Sequence, residues 1–377
     1  MLPALSSLRG LLKIQSISID SNIDRLHYKV TVIVLFAFSI LVTSGQFFGE
    51  PMNCDFPDSP YHSLNTYCYI HSTFLNKQSL TDAGTGRLPT HLRNPGKTEE
   101  DQKMYYGYYQ WVFIALFLQA VLYYIPRLVW KSWEGGRIEM LTGGLADPVL
   151  SKDCIRQNTK PLVDYFAMQL HSHNCYAFKF FFCEVLYLAN TVMQILCVNR
   201  FFGKDFTYYG INVAFHQQLG GNSVNPMESV FPTITKCVYE SYGPSGTVES
   251  KDGICILVQN SVNSKIYVFL WFWFHILALI TAIQIAYRIL LALVPSLRYH
   301  SFRSSSRLNS AKDVKAVFRK LWIGDLFLLR MLQRNMNPLA YRELISQMAH
   351  HKVTSDSMNN LTHMPSVYSS TTCCDSV

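Results

Sequence analysis

Long apolar runs alternate with polar stretches along this chain of 377 residues. A helix needs roughly 20 mostly apolar residues to cross a bilayer, and four runs reach that length. They predict transmembrane helices over residues 30–49, 105–126, 180–200 and 266–290. The segments that flank and connect these spans are 1–29, 50–104, 127–179, 201–265 and 291–377.

The third predicted span is the most polar, because it contains Glu184. An ionised side chain costs roughly 2.5 to 3.5 kcal/mol at a helix centre and less near an end, so the Phe, Leu, Ile and Val residues of this run still favour insertion. Glu184, Tyr187, Thr191 and Gln194 recur at helical spacing and would share one face. We expect that face to pack against neighbouring helices; ion binding by Glu184 is the alternative.

Charge placement predicts the orientation of the spans. Charged residues make up 15% of the chain, against about 25% in soluble domains. Most of the basic residues behind the net charge of +8 lie in 1–29, 127–179 and 291–377. The positive-inside rule therefore places both termini and the central segment in the cytoplasm. Their positive charge would face lipid headgroups, and we expect no nucleic-acid partner.

Each of the two predicted outer segments contains two cysteines. Of ten cysteines, Cys54 and Cys68 fall in the first outer segment, and Cys237 and Cys255 in the second. Because the extracellular side is oxidising, we expect two disulfides, and three pairings are possible. The spacings are not those of paired zinc ligands, so no metal is expected.

Three further patterns complete the predicted fold. Thr233–Tyr239 and Ile254–Val258 are strand-like and predict a small sheet, while Ala311–Leu332 and Pro338–Ala349 predict helices. Pro126 should kink or end the second span. The expected fold is an all-α membrane protein with four transmembrane helices, a cytoplasmic helical domain and a small disulfide-linked extracellular region containing some β structure.

The histidines beside the third span form a separate pattern. His171 and His173, together with Cys175, look like metal ligands at first sight. No second ligand pair accompanies them, so we expect them in a solvated loop.

Several short motifs occur in the order and topology of one family. The chain resembles the innexins, the gap-junction proteins of invertebrates, and the insect members most of all. The main motif is the pentapeptide at the start of the second span, Tyr108, Tyr109, Gln110, Trp111 and Val112. Supporting motifs are Glu50-Pro51-Met52-Asn53-Cys54, Tyr67-Cys68, Lys236-Cys237, and Tyr267 to Phe274. One departure is Tyr69, where the insect pattern usually has Trp.

The resemblance implies a function and a set of partners. Innexins form rings, suggested to contain eight subunits, and rings of adjacent cells dock through their outer segments. The resulting channel passes ions and small metabolites, without an enzymatic step or a cofactor. The resemblance further implies disulfides Cys54–Cys255 and Cys68–Cys237, other innexins and membrane lipids as partners, and a location in the plasma membrane at gap junctions.

The resemblance also suggests residues that line the pore. In relatives the N-terminal segment folds into the pore mouth, which would place Leu5 and Leu8 there; an amphipathic helix lying on the membrane is the alternative. Thr31, Ser39 and Thr43 are polar positions of the first span that could face water in the pore. Packing between helices is the alternative for these three.

Two other functions remain open from the residues alone. One is a large-pore hemichannel in the plasma membrane that opens without docking. The other is a four-span adhesion or scaffold protein, although the Cys-Cys-Gly motif of tetraspanins is absent from the second outer segment. Neither predicted outer segment carries a glycosylation sequon, which slightly favours docking.

Overall fold

A computed structural model of the protein describes residues 17–56, 63–76, 103–147, 150–203, 206–216 and 225–351. Most of these residues are helical. In chain order the helices are α1 (Asn22–Phe48), α2 (Ser63–His71), α3 (Val112–Glu134), α4 (Arg137–Thr142), α5 (Lys152–Met168), α6 (Asn174–Phe202), α7 (Tyr209–Phe215), α8 (Pro226–Val230), α9 (Val258–Leu293), α10 (Pro295–Ser305), α11 (Ala311–Lys320), α12 (Ile323–Asn335) and α13 (Pro338–His350). Four of them, α1, α3, α6 and α9, are long and apolar enough to cross a membrane.

The long helices extend beyond the apolar runs that predict them. Helix α9 begins at Val258, within the predicted outer segment 201–265. Its first turns can be polar because Asn260 is buried and its side-chain Nδ2 donates to the carbonyl of Pro232 at 2.8 Å. Helix α1 likewise starts at Asn22, ahead of the predicted span, and contains a π-helical segment over Leu26–Thr31.

The second long helix differs most from its prediction. Residues 105–111 do not belong to it, because a strand and a 3-10 turn over Tyr108–Gln110 precede it. At its other end it continues through Pro126 to Glu134. Pro126 therefore does not end this helix, and the kink, which was the other expectation, stays a prediction.

A five-stranded antiparallel sheet lies among the helices, with strands β1 (Asn53–Asp55), β2 (Thr73–Asn76), β3 (Lys103–Tyr106), β4 (Ile234–Tyr242) and β5 (Val248–Ile256). Their order across the sheet is β1-β5-β4-β2-β3. The predicted pairing of the two strand-like stretches is confirmed, with Ile234 opposite Ile256. The hairpin turns at Gly246, whose φ of 78° lies in the left-handed region that glycine tolerates.

The chain divides into two compact units. The helical unit consists of Met1–Arg25, Pro126–Tyr187 and Thr281–Val377, and the sheet unit of Leu26–Ile125 and Leu188–Ile280. In the helical unit, α5 packs on α13, and α11 packs on α13. Its core buries large side chains, among them Trp130, Phe166, Phe180, Phe327 and Leu332.

The helices near the C-terminal end agree with the predicted ranges, although the first range is divided in two. Helix α11 ends at Lys320, and Leu321 and Trp322 are extended before α12 begins. The Asp325 carboxylate accepts from the Trp322 backbone N–H at 3.1 Å, which caps the new helix. Helix α13 is capped by its N-cap residue instead: the Asn337 Oδ1 accepts from the Leu339 N–H at 2.9 Å, and Pro338 occupies the first helical position.

Candidate functional site

Two disulfides connect the parts of the sheet unit that lie far apart in the sequence. Cys54 on β1 faces Cys255 on β5 and is bonded to it, with their Cα atoms 4.0 Å apart. Cys68 on α2 is bonded to Cys237 on β4, with a Cα separation of 5.8 Å. These pairs are the ones that the family resemblance implies. Each bond joins the segment after the first long helix to the segment before the fourth.

A small apolar core surrounds these bonds. Cys68, Cys237 and Cys255 are buried, and Cys54 is half-buried. The other buried members of this core are Met52, Phe56, Leu64, Leu75, Tyr106, Tyr109 and Leu257. The sulfur atoms of Cys54, Cys68 and Cys255 lie within 4.8 Å of one another. Disulfide sulfur is not the thiolate that binds zinc, so this cluster offers no ready metal site.

The signature pentapeptide attaches the end of α2 to the start of α3. The Tyr109 hydroxyl donates to the Tyr69 carbonyl at 3.3 Å, and the Gln110 Nε2 donates to the same carbonyl at 2.5 Å. Tyr108 donates from its hydroxyl to the Val230 carbonyl at 3.0 Å. Val112 is fully buried, whereas Trp111 is 58% exposed. Four of the five residues therefore have a structural role inside the sheet unit, whereas Trp111 is mostly exposed.

Tyr69 occupies the position at which the chain departs from the insect pattern. Its hydroxyl accepts a hydrogen bond from the Gln46 Nε2, and its ring packs against Tyr109 with centroids 5.3 Å apart. A tryptophan has no acceptor to offer Gln46. Burial raises the pKa of both tyrosines from 10 to about 12, so their hydroxyls are even further from ionising at neutral pH.

An aromatic cluster holds the end of α6 against the start of α9. Its members are Phe202, Phe206, Tyr209, Phe231 and Tyr267. Phe202 contacts Tyr267 edge to face, with a centroid distance of 4.5 Å, and Tyr108 reaches Phe202 at 5.2 Å. Sequence reasoning missed this cluster, because its residues come from α6, α7 and α9, from the turn before Tyr209 and from the residue that follows α8. The only signal in the sequence is the density of aromatic residues at 201–209.

Four apolar side chains are exposed on one face of the β4–β5 hairpin, which also carries the Lys236–Asp252 ion pair. Ile234, Val238, Ile254 and Ile256 point away from the disulfide core and are 36% to 51% exposed. At the hairpin tip Tyr242 is 82% exposed. Exposed apolar patches of this kind mark interaction surfaces.

The predicted pore-lining residues of the first span lie inside the sheet unit. Thr31 is fully buried, and its hydroxyl donates to the Leu26 carbonyl at 2.8 Å and accepts from the Trp273 Nε1 at 2.9 Å. Ser39 is 6% exposed and donates to the Phe113 carbonyl at 3.0 Å. Thr43 is half-buried and donates to the Ser39 carbonyl. Packing thus accounts for Thr31 and Ser39 better than the pore does.

The other predicted pore residues, Leu5 and Leu8, lie outside the described residues.

The polar face of the third span is confirmed as a packing face. Glu184, Tyr187, Thr191 and Gln194 are each 2% exposed or less. The Glu184 carboxylate pairs with Arg288 at 3.1 Å and accepts from the Gln284 Nε2. A carboxylate occupied in this way is a weak candidate for ion binding.

His173 corrects another expectation, because it is buried rather than in a solvated loop. Its Nδ1 lies 2.7 Å from the Asp325 Oδ1, and its Nε2 lies 3.0 Å from the Tyr165 hydroxyl. Burial alone would raise the pKa of Asp325. The hydrogen bonds from His173 and from backbone N–H groups outweigh it and hold that pKa below the usual value of 3.8.

The fold and the disulfide-linked sheet together define a class of protein: a four-span membrane protein whose first and third inter-span segments fold as one unit. The family model named Innexin matches residues 20–352. The chain is 46% identical over 356 residues to innexin inx2 of Drosophila melanogaster, a match that covers 93% of this chain and 95% of that protein. Innexin inx2 of Schistocerca americana is 44% identical over 93% of this chain and 98% of its own length, and innexin shaking-B of Drosophila melanogaster is 38% identical over 94% and 97%.

The chain belongs to the innexin family. Innexins are subunits of gap-junction channels, which pass ions and small metabolites between adjacent cells. This chain is accordingly a multi-pass plasma-membrane protein of gap junctions that assembles with innexins. An undocked hemichannel and an adhesion or scaffold protein are not favoured by these relationships.

Proposed function

We propose that eight copies of this chain, alone or mixed with other innexins, form a ring around a central pore. The ring docks through its outer segments with the ring of a neighbouring cell. Both termini and residues 127–179 lie in the cytoplasm, and residues 50–104 and 201–265 lie outside. The distribution of basic residues supports this orientation, and the family supports assembly with innexins.

The single observation that carries the proposal is that both outer segments contribute to one cross-linked sheet. A flexible segment of this length loses much conformational entropy when it is fixed for docking. The disulfides Cys54–Cys255 and Cys68–Cys237 remove part of that freedom before the partner arrives. The sheet is then a preorganised docking body, and the exposed apolar side chains of its hairpin are available for contact between copies.

Passage through the proposed channel is diffusion down a gradient. It requires no covalent step, no metal and no cofactor, so we propose no catalytic residue. Leu5 and Leu8 remain our proposal for the pore mouth on the strength of the family resemblance. Thr43, which is half-buried, is the remaining candidate from the first span.

Paired cells that lack endogenous junctions provide the test of docking. We expect junctional conductance when both cells express this chain. Surface labelling must confirm the protein at the contact, and pairing with cells that express a second innexin tests heteromeric docking. Absence of junctional current in both pairings, with protein at the contact and hemichannel current in single cells, would overturn docking in favour of the undocked channel.

Orientation and subunit number need separate measurements. A C-terminal epitope tag should bind its antibody only after the cells are permeabilised, and binding to intact cells would contradict the orientation. Images of the purified ring along its axis should show eightfold symmetry; any other symmetry refutes the octamer without affecting docking.

A further inference from the structure

A half-open cavity lies in the helical unit where α9 ends. The space within it is about 560 Å³ when the open side is counted. Helices α6, α9, α10 and α12 contribute its walls. The apolar part of the lining includes Phe181, Leu291, Ala292, Phe302, Leu326 and Phe327.

Three arginines also line this cavity, and they differ in their partners. Arg288 is neutralised by Glu184 at 3.1 Å. Arg298 donates from Nη1 to the Ala292 carbonyl at 3.2 Å, and its buried Nε has no hydrogen-bond partner. Arg330 donates from Nη1 to the Ser301 hydroxyl at 3.1 Å. Within the described part of the chain, neither Arg298 nor Arg330 pairs with a carboxylate.

The unused donors of these two side chains indicate an anionic ligand. A guanidinium carries five N–H donors in a fixed fork that matches phosphate geometry. Arg298 uses its Nη1 within the protein and stacks over the Phe318 ring. Arg330 hydrogen-bonds to Ser301 and to the Tyr287 side chain. Each guanidinium still has donors for a ligand, among them the buried Nε of Arg298. A buried Nε without a partner is costly unless a ligand or water satisfies it.

The surroundings of the cavity indicate that this ligand also has an apolar part. The cavity walls are aromatic and aliphatic beneath the arginines. Leu290, Leu293 and Leu297, at the end of α9 and the start of α10, are 46% to 72% exposed. An exposed leucine surface beside a basic cavity, at the end of a membrane-spanning helix, fits the boundary between acyl chains and headgroups.

We propose that this cavity binds an anionic phospholipid. Its phosphate is held by Arg298 and Arg330, and the upper part of an acyl chain lies against Phe302 and Phe327. This inference goes beyond channel formation and uses the proposed orientation only to assign the leaflet. The cytoplasmic leaflet is the one rich in anionic lipid.

Binding of fluorescent phosphatidylserine to the purified full-length assembly in detergent tests the proposal. Phosphatidylcholine is the charge control, and soluble glycerophosphoserine separates a lipid from a free phosphate ligand. The charge variant is Arg298→Gln with Arg330→Gln. Ala292→Phe fills the cavity without changing charge, and Arg307→Gln is the matched control, since Arg307 is exposed and outside the cavity.

We expect the wild type to prefer phosphatidylserine to phosphatidylcholine. The double variant should bind phosphatidylserine about tenfold more weakly or worse, because hydrogen bonds to charged groups are the strong ones. Ala292→Phe should also weaken binding, while Arg307→Gln should not. If the double variant does not fold, Ala292→Phe and the single Arg330→Gln decide the question by the same criterion.

Three outcomes would overturn the proposal. The first is unchanged affinity in the folded charge and cavity variants. The second is equal affinity for phosphatidylcholine. The third is that glycerophosphoserine binds as tightly as the lipid, which would indicate a soluble phosphate ligand. None of these readouts depends on junctional current, so the docking proposal and this one fail separately.

Discussion

Different interactions stabilise the interior of the sheet unit and the interior of the helical unit. In the sheet unit, strands from distant parts of the chain meet around a small apolar core, and the disulfides bridge separations of 201 and 169 residues. In the helical unit, short helices pack around a larger core of aromatic and aliphatic side chains, reinforced by buried polar pairs. The sheet itself, built from long-range contacts around a small core, gains stability from covalent links, whereas the helical core is stabilised by packing.

Removing one disulfide should give the largest effect, and it is the most direct test of the difference between the two units. Replacing Cys68 and Cys237 together by Ser should destabilise the sheet unit by about 2–5 kcal/mol, because the unfolded segments regain their freedom. We expect junctional conductance to be lost while the protein is still made. Limited proteolysis should show faster cleavage between residues 50 and 104.

Cys154→Ser is the control for this experiment, since Cys154 is a free cysteine of the helical unit. It should leave both conductance and cleavage unchanged. A double variant that conducts like the wild type would show that packing alone maintains the sheet. The Cys54→Ser with Cys255→Ser pair should behave like the first pair if both bonds stabilise the same body.

Removing a buried polar pair should give the next largest effect, this time in the helical unit. Asp325→Asn loses the charge that binds His173 and weakens the cap of α12, while leaving His173 buried. We expect a loss of about 1–3 kcal/mol in the free energy of unfolding, the usual cost of a buried group that loses its partner. Thermal unfolding of the purified protein measures it.

Asp164→Asn is the matched control, because the Asp164 side chain is 59% exposed and its contact with His351 is long, at 3.7 Å. Exposed pairs of this kind contribute about 1 kcal/mol or less. Equal effects of the two variants would show that burial of Asp325 is unimportant to the helical unit.

The lowered pKa of Asp325 predicts how the stability of the helical unit depends on pH. The pKa of Asp325 in the folded protein lies below its usual value of 3.8. Its ionised form is therefore favoured by folding, and the stabilisation is present above pH 3.8 and lost as the pH falls through the folded pKa. The stabilities of the wild type and Asp325→Asn should differ at neutral pH, and the difference should begin to shrink below pH 3.8 and vanish only below the folded pKa. A difference that begins to shrink well above pH 3.8 would contradict this assignment.

The sequence predicted features that depend on neighbouring residues and missed features that depend on distant ones. The four spans, the hairpin pairing and the C-terminal helices follow from apolar runs and local periodicity, which are properties of neighbouring residues. Strands β1 and β2 did not follow, because three or four residues such as Asn53–Asp55 carry too little alternation. The burial of His173 was equally hidden, since its partner Asp325 lies 152 residues away.

The pore candidates show the same limit on a single helix. Thr31 and Ser39 are polar residues in an apolar run, which suits either a pore or a hydrogen bond to another helix. Their partners, Trp273 and the Phe113 carbonyl, lie far along the chain. The sequence could identify the polar positions but not the helices that satisfy them.

The smallest expected effect concerns Tyr69, the position in the sheet unit where this chain departs from its family's pattern. Tyr69→Trp should remove the hydrogen bond that the Tyr69 hydroxyl accepts from the Gln46 Nε2, while keeping an aromatic ring beside Tyr109. Tyr69→Phe removes only the hydroxyl and is the matched control. We expect each to lower the thermal stability by about 1 kcal/mol, the net contribution of one hydrogen bond. Conductance should persist in both, because the two disulfides still hold the sheet.

If Tyr69→Trp abolishes docking while Tyr69→Phe does not, ring size at this position, rather than the disulfides alone, determines the shape of the sheet unit.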